Sequence, residues 1–283
     1  MKLSVITINY NNLSGLRRTV DSVMSQTWRG FEWILIDGGS NDGSKEYIES
    51  IAAIPEANVS YWCSEPDNGV YNAMNKGIAK AKGNYLNFMN SGDVFFECKT
   101  LEKWKDKEID GDIIYGDWIR RYSDHDEFIK PITDGLSALI YFVNICHQAM
   151  FIKKEKMIEG YDEKYRIFSD WRKWQELACA GVSFQYIPLK ICIFEAESGL
   201  SEKGRFVTSV NEQLAILDDL PQELREHILR VRHLGQFQKY DVLERIFQLI
   251  DHRPIIEKFF SVISVPLEIL VRIKKKIKCC SHL

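Results

Sequence analysis

Ser64 to Asp93, SEPDNGVYNAMNKGIAKAKGNYLNFMNSGD, decides the fold when it is set beside ILIDGGSNDGS at 34–44. Each stretch joins an apolar strand to a polar, acidic, Gly-bearing loop and then to a helix. Phe31 to Ile36 is a short apolar run bounded by a turn cluster, as a strand buried on both faces requires. It stops at Asp37, and Gly38 to Gly43 supply a sharp turn. Ser44 can cap a helix on which Tyr47, Ile48, Ile51 and Ile54 recur at helical spacing. The same grammar opens the chain: Leu3 to Ile8, a turn at Asn9 to Asn12, then Leu13, Leu16, Val20, Val23 and Met24 on one helix face. It recurs at Val59 to Trp62, the loop Ser64 to Gly69, and a helix carrying Val70, Ala73, Met74, Gly77, Ile78 and Ala81. A fourth strand, Tyr85 to Met89, delivers Asn90, Ser91, Gly92 and Asp93 at its carboxyl end. Alternation of this kind predicts an α/β fold with a mostly parallel sheet covered by helices, and ligands at the carboxyl ends of its strands. Thr7, Asn9, Asp37, Asp67 and Asp93 all fall there.

Composition narrows the partners. The 283 residues carry a net charge of −3, which argues against a nucleic-acid partner that needs a broad basic face. Residues 255–283 depart from that average, with Lys258, Arg272, Lys274, Lys275, Lys276 and Lys278 against Glu257 and Glu268. The seven cysteines show no C-x-x-C spacing and no companion histidine at zinc-ligand spacing, so buried, reduced thiols and a reducing compartment are expected. The chain opens directly on a strand, with no cleavable leader in view, and no apolar run reaches the roughly 18–20 residues of a spanning helix. A cytoplasmic location follows, either free or peripheral on the cytosolic face of the inner membrane.

Phosphate-binding motifs separate the candidate chemistries. The first turn reads NYNNLSG and the second GGSNDG, with Ser40 where the second glycine of G-x-G-x-x-G would stand, which disfavours a dinucleotide enzyme. The absence of G-x-x-x-x-G-K-[ST] excludes a P-loop nucleotidase. A nucleotide held by carboxylates, amides and a divalent cation remains.

The residues that carry a family likeness are SVITINYNN at 4–12, SVMSQTWRGFEWILIDGGSNDGS at 22–44, SEPDNGVYNAMNKGIAKAKG at 64–83, NSGD at 90–93 and IFSDWRKWQELACAGVSFQYIP at 167–188. Together they resemble the inverting family 2 glycosyltransferases of Rossmann-like GT-A fold, in the branch that builds bacterial exopolysaccharide, capsule or O-antigen units. The likeness is dense over the first 95 residues or so, thins to about residue 200, and then gives out. It implies a nucleotide-diphosphate sugar donor, with UDP the first expectation, and Thr7, Asn9 and Tyr10 at the nucleoside. Asp37 matches the acid that meets the base or ribose, while Asp42 and Ser44 suit a turn and a cap better than a ligand. Glu65, Asp67 and Asn68 fall on a loop that contacts the base in relatives, with Asn75 and Lys76 on the following helix and Lys76 able to reach phosphate. The family usually carries Asp-x-Asp where this chain reads Asn90-Ser91-Gly92-Asp93. Asp93 alone keeps a carboxylate for Mg²⁺ or Mn²⁺, with Asn90 and Ser91 as neutral neighbours and His147 as a secondary metal or diphosphate contact.

For the second half, Asp170 matches the family's general base at the start of a helix, where the helix dipole favours its ionised form. Tyr165, Phe168, Trp171 and Trp174 suit a sugar-stacking wall or ordinary core packing, and Ser198, Gly199 and Ser201 resemble a loop that closes over the donor. The expected organisation is a glycosyltransferase domain over 1–200, divided near 95 into donor and acceptor halves, a helical extension over 201–254 and an amphipathic basic tail over 255–283. That tail is read first as an anchor on a membrane surface, which a lipid-linked saccharide acceptor would require. The alternative is packing on the catalytic domain or on the partner in a homodimer. Two other classes stand beside the enzyme: a non-catalytic sugar-nucleotide or glycan-binding subunit, motivated by the missing acids, and a nucleotidyltransferase, which would need a basic Gly-rich loop that SVITINYNN lacks.

Overall fold

The computed structural model describes residues 2–131 and 145–196, together with 212, 215–219 and 222. The proposed closing loop at Ser198, Gly199 and Ser201, most of the helical extension and the whole basic tail lie outside the described residues.

The N-terminal half follows the expected alternation. β1 (Leu3–Asn9), β2 (Phe31–Asp37), β3 (Val59–Ser64) and β4 (Tyr85–Phe88) alternate with α1 (Leu13–Met24), α2 (Ser44–Ala52) and α3 (Val70–Lys80). They form a parallel array in the order β3-β2-β1-β4. Register brings Asn9 opposite Asp37 and Asp37 opposite Ser64, so these strand ends lie level. The chain steps outward from β1 to β3 and then returns to the other side of β1. The crevice at the carboxyl ends of β1 and β4 is therefore a topological switch point, where open α/β sheets hold ligands.

β1 is buried along its whole length and shows why the sheet is covered on both faces. Side chains alternate across a strand. Leu3 and Val5 pack with Leu16, Val20, Val23, Trp33 and Ile48, whereas Ile6 and Ile8 pack with Tyr71, Met74 and Ile78. Burying each such aliphatic side chain contributes about 1.5–3 kcal/mol, so the two layers are the main source of stability.

The second half is mixed in direction, which the sequence pattern did not disclose. β5 (Val94–Phe95), β6 (Ile113–Arg121), β7 (Asp126–Ile129), β8 (Met150–Lys153) and β9 (Phe184–Glu195) extend the sheet as β4-β8-β6-β9-β5, with β7 beside β6. β8 runs antiparallel to both neighbours, while β9 runs parallel to β6. α4 (Thr100–Lys105) buries Leu101 and Trp104 on the α1–α2 side. α5 (Ser169–Cys179) adds Trp174 and Leu177 to the face that carries α3, which brings the α5 N-terminus against α3.

Two smaller expectations need correction. Gly43, not Ser44, occupies the cap position of α2, and Asp42 tightens the turn by accepting Ser44 N–H at 3.1 Å and Leu13 N–H at 2.8 Å. The cysteines are unbridged among the described residues, but only Cys146 and Cys192 are buried; Cys98, in the turn before α4, and Cys179, at the end of α5, are exposed.

Gly77 is where α3 comes closest to β1: a Cβ there would lie 2.5 Å from Ile6 Cγ2, next to a β-branched carbon that cannot swing aside. Gly77→Ala therefore sets better helix propensity, worth up to about 1 kcal/mol, against overpacking of about 1–3 kcal/mol. Net destabilisation is expected, read as a lower midpoint in urea at unchanged slope. A midpoint at or above wild type would refute the close approach.

Candidate active site

Three carboxyl groups organise the crevice, each in a different environment. Asp37 closes β2 and is wholly buried. Oδ1 accepts Asn9 Nδ2 at 2.8 Å and the Ser40 hydroxyl at 2.6 Å; Oδ2 accepts Ser40 N–H at 2.9 Å and the Ser64 hydroxyl at 2.6 Å. Burial pushes this carboxyl up, but the donors from Ser40, Ser64 and Asn9 outweigh it and hold Asp37 below the usual carboxylate range. The ends of β1, β2 and β3 and the GGSNDG turn are thus pinned to one negative charge.

Asp93 follows β4. Its Oδ2 accepts Gln148 Nε2 at 2.7 Å and its Oδ1 accepts Glu195 N–H at 3.0 Å. Only about one-twentieth of the residue is exposed. Burial dominates these donors and pushes its carboxyl up to about 7, so the site favours either a proton or a cation there. The preceding turn is fixed through its backbone: Thr19 Oγ1 donates to Asp93 O at 2.8 Å, and Asn12 Nδ2 donates to Ser91 O at 3.0 Å. Asn90 Oδ1 is buried with no hydrogen-bond partner among the described residues, and so is Asn9 Oδ1.

No group of three histidine, cysteine or acidic side chains able to hold a metal occurs among the described residues. Mg²⁺ usually keeps several waters and needs only one or two carboxylates when phosphates supply the rest. One desolvated carboxyl at Asp93 and one orphaned amide oxygen at Asn90 fit a cation shared with a diphosphate, not one caged by protein alone.

Asp170 lies in the first turn of α5, with Phe168 at the cap position. Its Oδ1 accepts Tyr71 O–H at 2.9 Å and Trp171 N–H at 2.8 Å. Its Oδ2 faces His147 Nδ1 at 3.8 Å, beyond hydrogen-bond length, and 17 % of the side chain stays exposed, so Oδ2 is the atom left for a substrate proton. The sequence suggested that the helix dipole would favour ionisation; burial outweighs it and pushes Asp170 up to about 6. Burial alone pushes His147 down to about 3, so it is a neutral ring that forms no ion pair with Asp170. Its Nε2 meets Tyr161 O–H at 2.8 Å, and the ring packs on Phe88, Tyr161 and Trp174. Both nitrogens of His147 are directed at Tyr161 and Asp170, so this side chain sits with Asp170, while its neighbour Gln148 serves Asp93.

The remaining residues singled out from sequence divide into two groups. Tyr10 is 65 % exposed and stands beside Gly38, where a Cβ would lie 3.1 Å from the Tyr10 ring and 2.5 Å from Asp67 Oδ2. An aromatic face, a bare backbone and a carboxylate are thereby gathered next to Asp37. Thr7, Asn75 and Lys76 each have a partner within the protein. Thr7 Oγ1 is buried and accepts Trp33 Nε1 at 3.0 Å, because it shares the strand face that buries Trp33. Asn75 clamps the loop before α5, accepting Tyr161 N–H at 2.7 Å and donating to Tyr161 O at 2.9 Å. Lys76 ties Pro66 O and Glu65 Oε1 at 3.1 and 2.9 Å. Sequence reasoning missed Tyr71, Gln148 and Tyr161. Tyr71 lies within SEPDNGVYNAMNKGIAKAKG and Gln148 follows His147, but nothing in their spacing discloses which carboxyl each one meets.

An open α/β sheet with a crevice at its switch point, where such sheets hold ligands, and with desolvated acids at Asp93 and Asp170 belongs to the ligand-binding α/β class. Residues 4–169 match Glycosyl transferase family 2, and the chain belongs to that family. Among curated relatives it is 38% identical over 176 residues to the uncharacterised glycosyltransferase Rv1514c of Mycobacterium tuberculosis (strain ATCC 25618 / H37Rv), covering 59% of this chain and 65% of that protein. It is 32% identical over 174 residues to a PGL/p-HBAD biosynthesis glycosyltransferase of Mycobacterium bovis (strain BCG / Pasteur 1173P2), covering 59% of this chain and 66% of the relative. In both cases the match spans a little under two thirds of the relative's length. The architecture is similar to S. aureus TarS 1-349 in complex with UDP-GlcNAc (TM-score 0.64, 15% identity, 81% of this chain and 70% of that one). It is also similar to the mannosyltransferase PcManGT from Pyrobaculum calidifontis in complex with GDP-Man and Mn2+ (TM-score 0.52, 13% identity, 85% and 82%). The fold is accordingly the GT-A type expected from the sequence. No helix among the described residues is long and apolar enough to cross a membrane.

Asp93 links proton binding to stability. Its folded value near 7 lies above the ordinary unfolded value, so the folded chain binds the proton more tightly and loses stability as pH rises from about 4 to about 7. Asp93→Asn removes that slope. The variant should be more heat-stable than wild type at about pH 8 and no more stable at about pH 5. Thermal unfolding curves at both values check it, and a parallel decline in the two proteins would show that Asp93 titrates normally.

Proposed function

We propose that the chain is an inverting glycosyltransferase, moving a sugar from a nucleotide-diphosphate sugar to a glycan or lipid-linked saccharide in cell-surface glycoconjugate synthesis. One observation carries the reading. Two carboxyl groups at the crevice are pushed up, Asp93 to about 7 and Asp170 to about 6, by burial in separate surroundings. Desolvated acids gathered at a crevice mark candidates for acid–base and cation-binding roles. The biosynthetic relatives support a glycoconjugate product, and the UDP-GlcNAc and GDP-Man held by the similar solved structures are the reason to try both UDP- and GDP-sugars.

In this reading the nucleoside lies on the Tyr10 ring beside Gly38 and Asp67, with Asp37 bracing the floor. Asp93 and Asn90 hold Mg²⁺ or Mn²⁺, which when bound supplies positive charge to the departing diphosphate. The acceptor hydroxyl gives its proton to Asp170 Oδ2 as its oxygen bonds to the anomeric carbon, and the bond from that carbon to the diphosphate oxygen breaks on the opposite face. Tyr71 and Trp171 hold Oδ1 still, so the free oxygen keeps one direction. The tail over 255–283 would bring the enzyme to an anionic cytosolic leaflet.

Binding of UDP, GDP, dTDP and CMP, each with and without Mn²⁺, tests the donor. Tight binding of one diphosphate that strengthens with Mn²⁺ is expected, and Tyr10→Ala should weaken it by about 5- to 100-fold through lost stacking. No binding by any of the four would sink the reading. For the chemistry, kcat/KM should rise with pH through a limb near 6, because a base works only when deprotonated. Asp170→Asn should lower kcat at least about 100-fold while nucleotide binding survives. The loss of acids ahead of Asp93 favours one other reading, a sugar-nucleotide-binding subunit; nucleotide binding without transfer to any acceptor would establish it.

A further inference from the structure

The turn that leads into α5 is held from two sides. The N–H groups of Arg166, Ile167 and Phe168 all donate to the Glu212 carboxylate, at 2.7, 2.9 and 3.1 Å. Successive N–H groups converging on one anion form a nest. On the other side, the single Tyr71 hydroxyl hydrogen is shared between the Ile167 carbonyl at 2.6 Å and Asp170 Oδ1 at 2.9 Å. A continuous chain of contacts therefore runs from the Glu212 carboxylate through the Ile167 peptide and the Tyr71 hydroxyl to Asp170. Asp219 adds a second anchor, accepting Tyr165 O–H at 3.1 Å and lying 3.5 Å from Arg172 Nε and 3.7 Å from Lys164 Nζ. Between them Ile216 and Leu217 are fully buried. These contacts come from beyond β9 and beyond the residues that match the family.

We propose that Glu212, on the extension, is a positioning residue for sugar transfer: its carboxylate gathers the turn at Arg166, Ile167 and Phe168 and so sets where Tyr71 and α5 hold Asp170. The proposal rests on Asp170 as the base. A carboxylate suits the task better than an amide, since it offers about four lone-pair sites to converging donors and its hydrogen bonds are charge-assisted. Position matters because a misplacement of about 1 Å at a reacting group can cost about 100-fold in rate. The groups facing Asp170 are Tyr71 from α3, neutral His147 and Tyr161 from the β8 side, its own Trp171 N–H, and Glu212 from the extension. Arg172 on α5 is engaged by Glu176 and Asp219. The negative charge of Glu212 adds to the effect of burial on Asp170, so Glu212 acts on both the place and the titration of the base.

The test compares full pH profiles of kcat and donor KM for wild type, Glu212→Gln, Glu212→Ala, Asp219→Asn and Asp170→Asn. Glu212→Ala should lower kcat by about 10- to 100-fold with donor KM within about threefold, and Glu212→Gln, which keeps one acceptor, by about 3- to 10-fold. Both Glu212 variants should move the acid limb to lower pH, because a nearby negative charge has gone. Asp219→Asn loosens the same segment and should leave the limb in place. An unmoved limb in both Glu212 variants, or an equal displacement in Asp219→Asn, overturns the proposal. If Glu212→Ala does not fold, as read by circular dichroism, Glu212→Gln carries the same decision. Asp170→Asn separates the two failures: kcat within about threefold of wild type removes the base reading itself, whereas an inactive Asp170→Asn beside unaltered Glu212 variants removes only the positioning role.

Discussion

The rim of the crevice depends on hiding a carboxylate at Asp37. A bare buried charge would cost several kcal/mol, so the chain must bring donors to it, and it draws them from Asn9 on β1, Ser40 in the following turn and Ser64 on β3. Meeting that demand levels the strand ends and sets the GGSNDG turn. It also places Gly38 between Tyr10 and Asp67 as a bare floor. The interaction is structural first; whatever chemistry the crevice performs begins from a rim that Asp37 has already ordered.

The same side chain behaves differently at Asp93 and Asp170, and the reason is the balance between donors and desolvation. Asp37 has four internal donors and lies below the usual range. Asp93 has donors at Gln148 and Glu195 and rises to about 7. Asp170 keeps Tyr71 and Trp171 on one oxygen, leaves the other free, and rises to about 6. Incomplete satisfaction is what makes a buried acid responsive to a cation or a proton. The orphaned amide oxygens of Asn9 and Asn90, at the same strand ends, belong to the same pattern of partners left open.

Much of the first half was legible because its signals are local. Apolar runs of strand length, Gly-bearing turns and helical spacing place β1 to β4 and α1 to α3 almost where they lie, and the carboxyl-end rule collects Asn9, Asp37, Asp67 and Asp93. The second half was not legible in the same way. β8 enters antiparallel between β4 and β6, a long-range pairing that no local period encodes. Thr7, Asn75 and Lys76 stand out in the chain by their polar groups, and only the fold shows that Trp33, Tyr161 and Glu65 engage them within the protein.

By itself the sequence determined the order of elements, the Gly-bearing turns and the residue types available at the strand ends, since period, turn chemistry and motif spacing are properties of neighbours along the chain. Only the tertiary structure decided which carboxylate is silent and which is poised. That depends on the number of donors that distant segments bring, Ser64 to Asp37, Gln148 to Asp93 and Tyr71 to Asp170, against the water each fold contact removes.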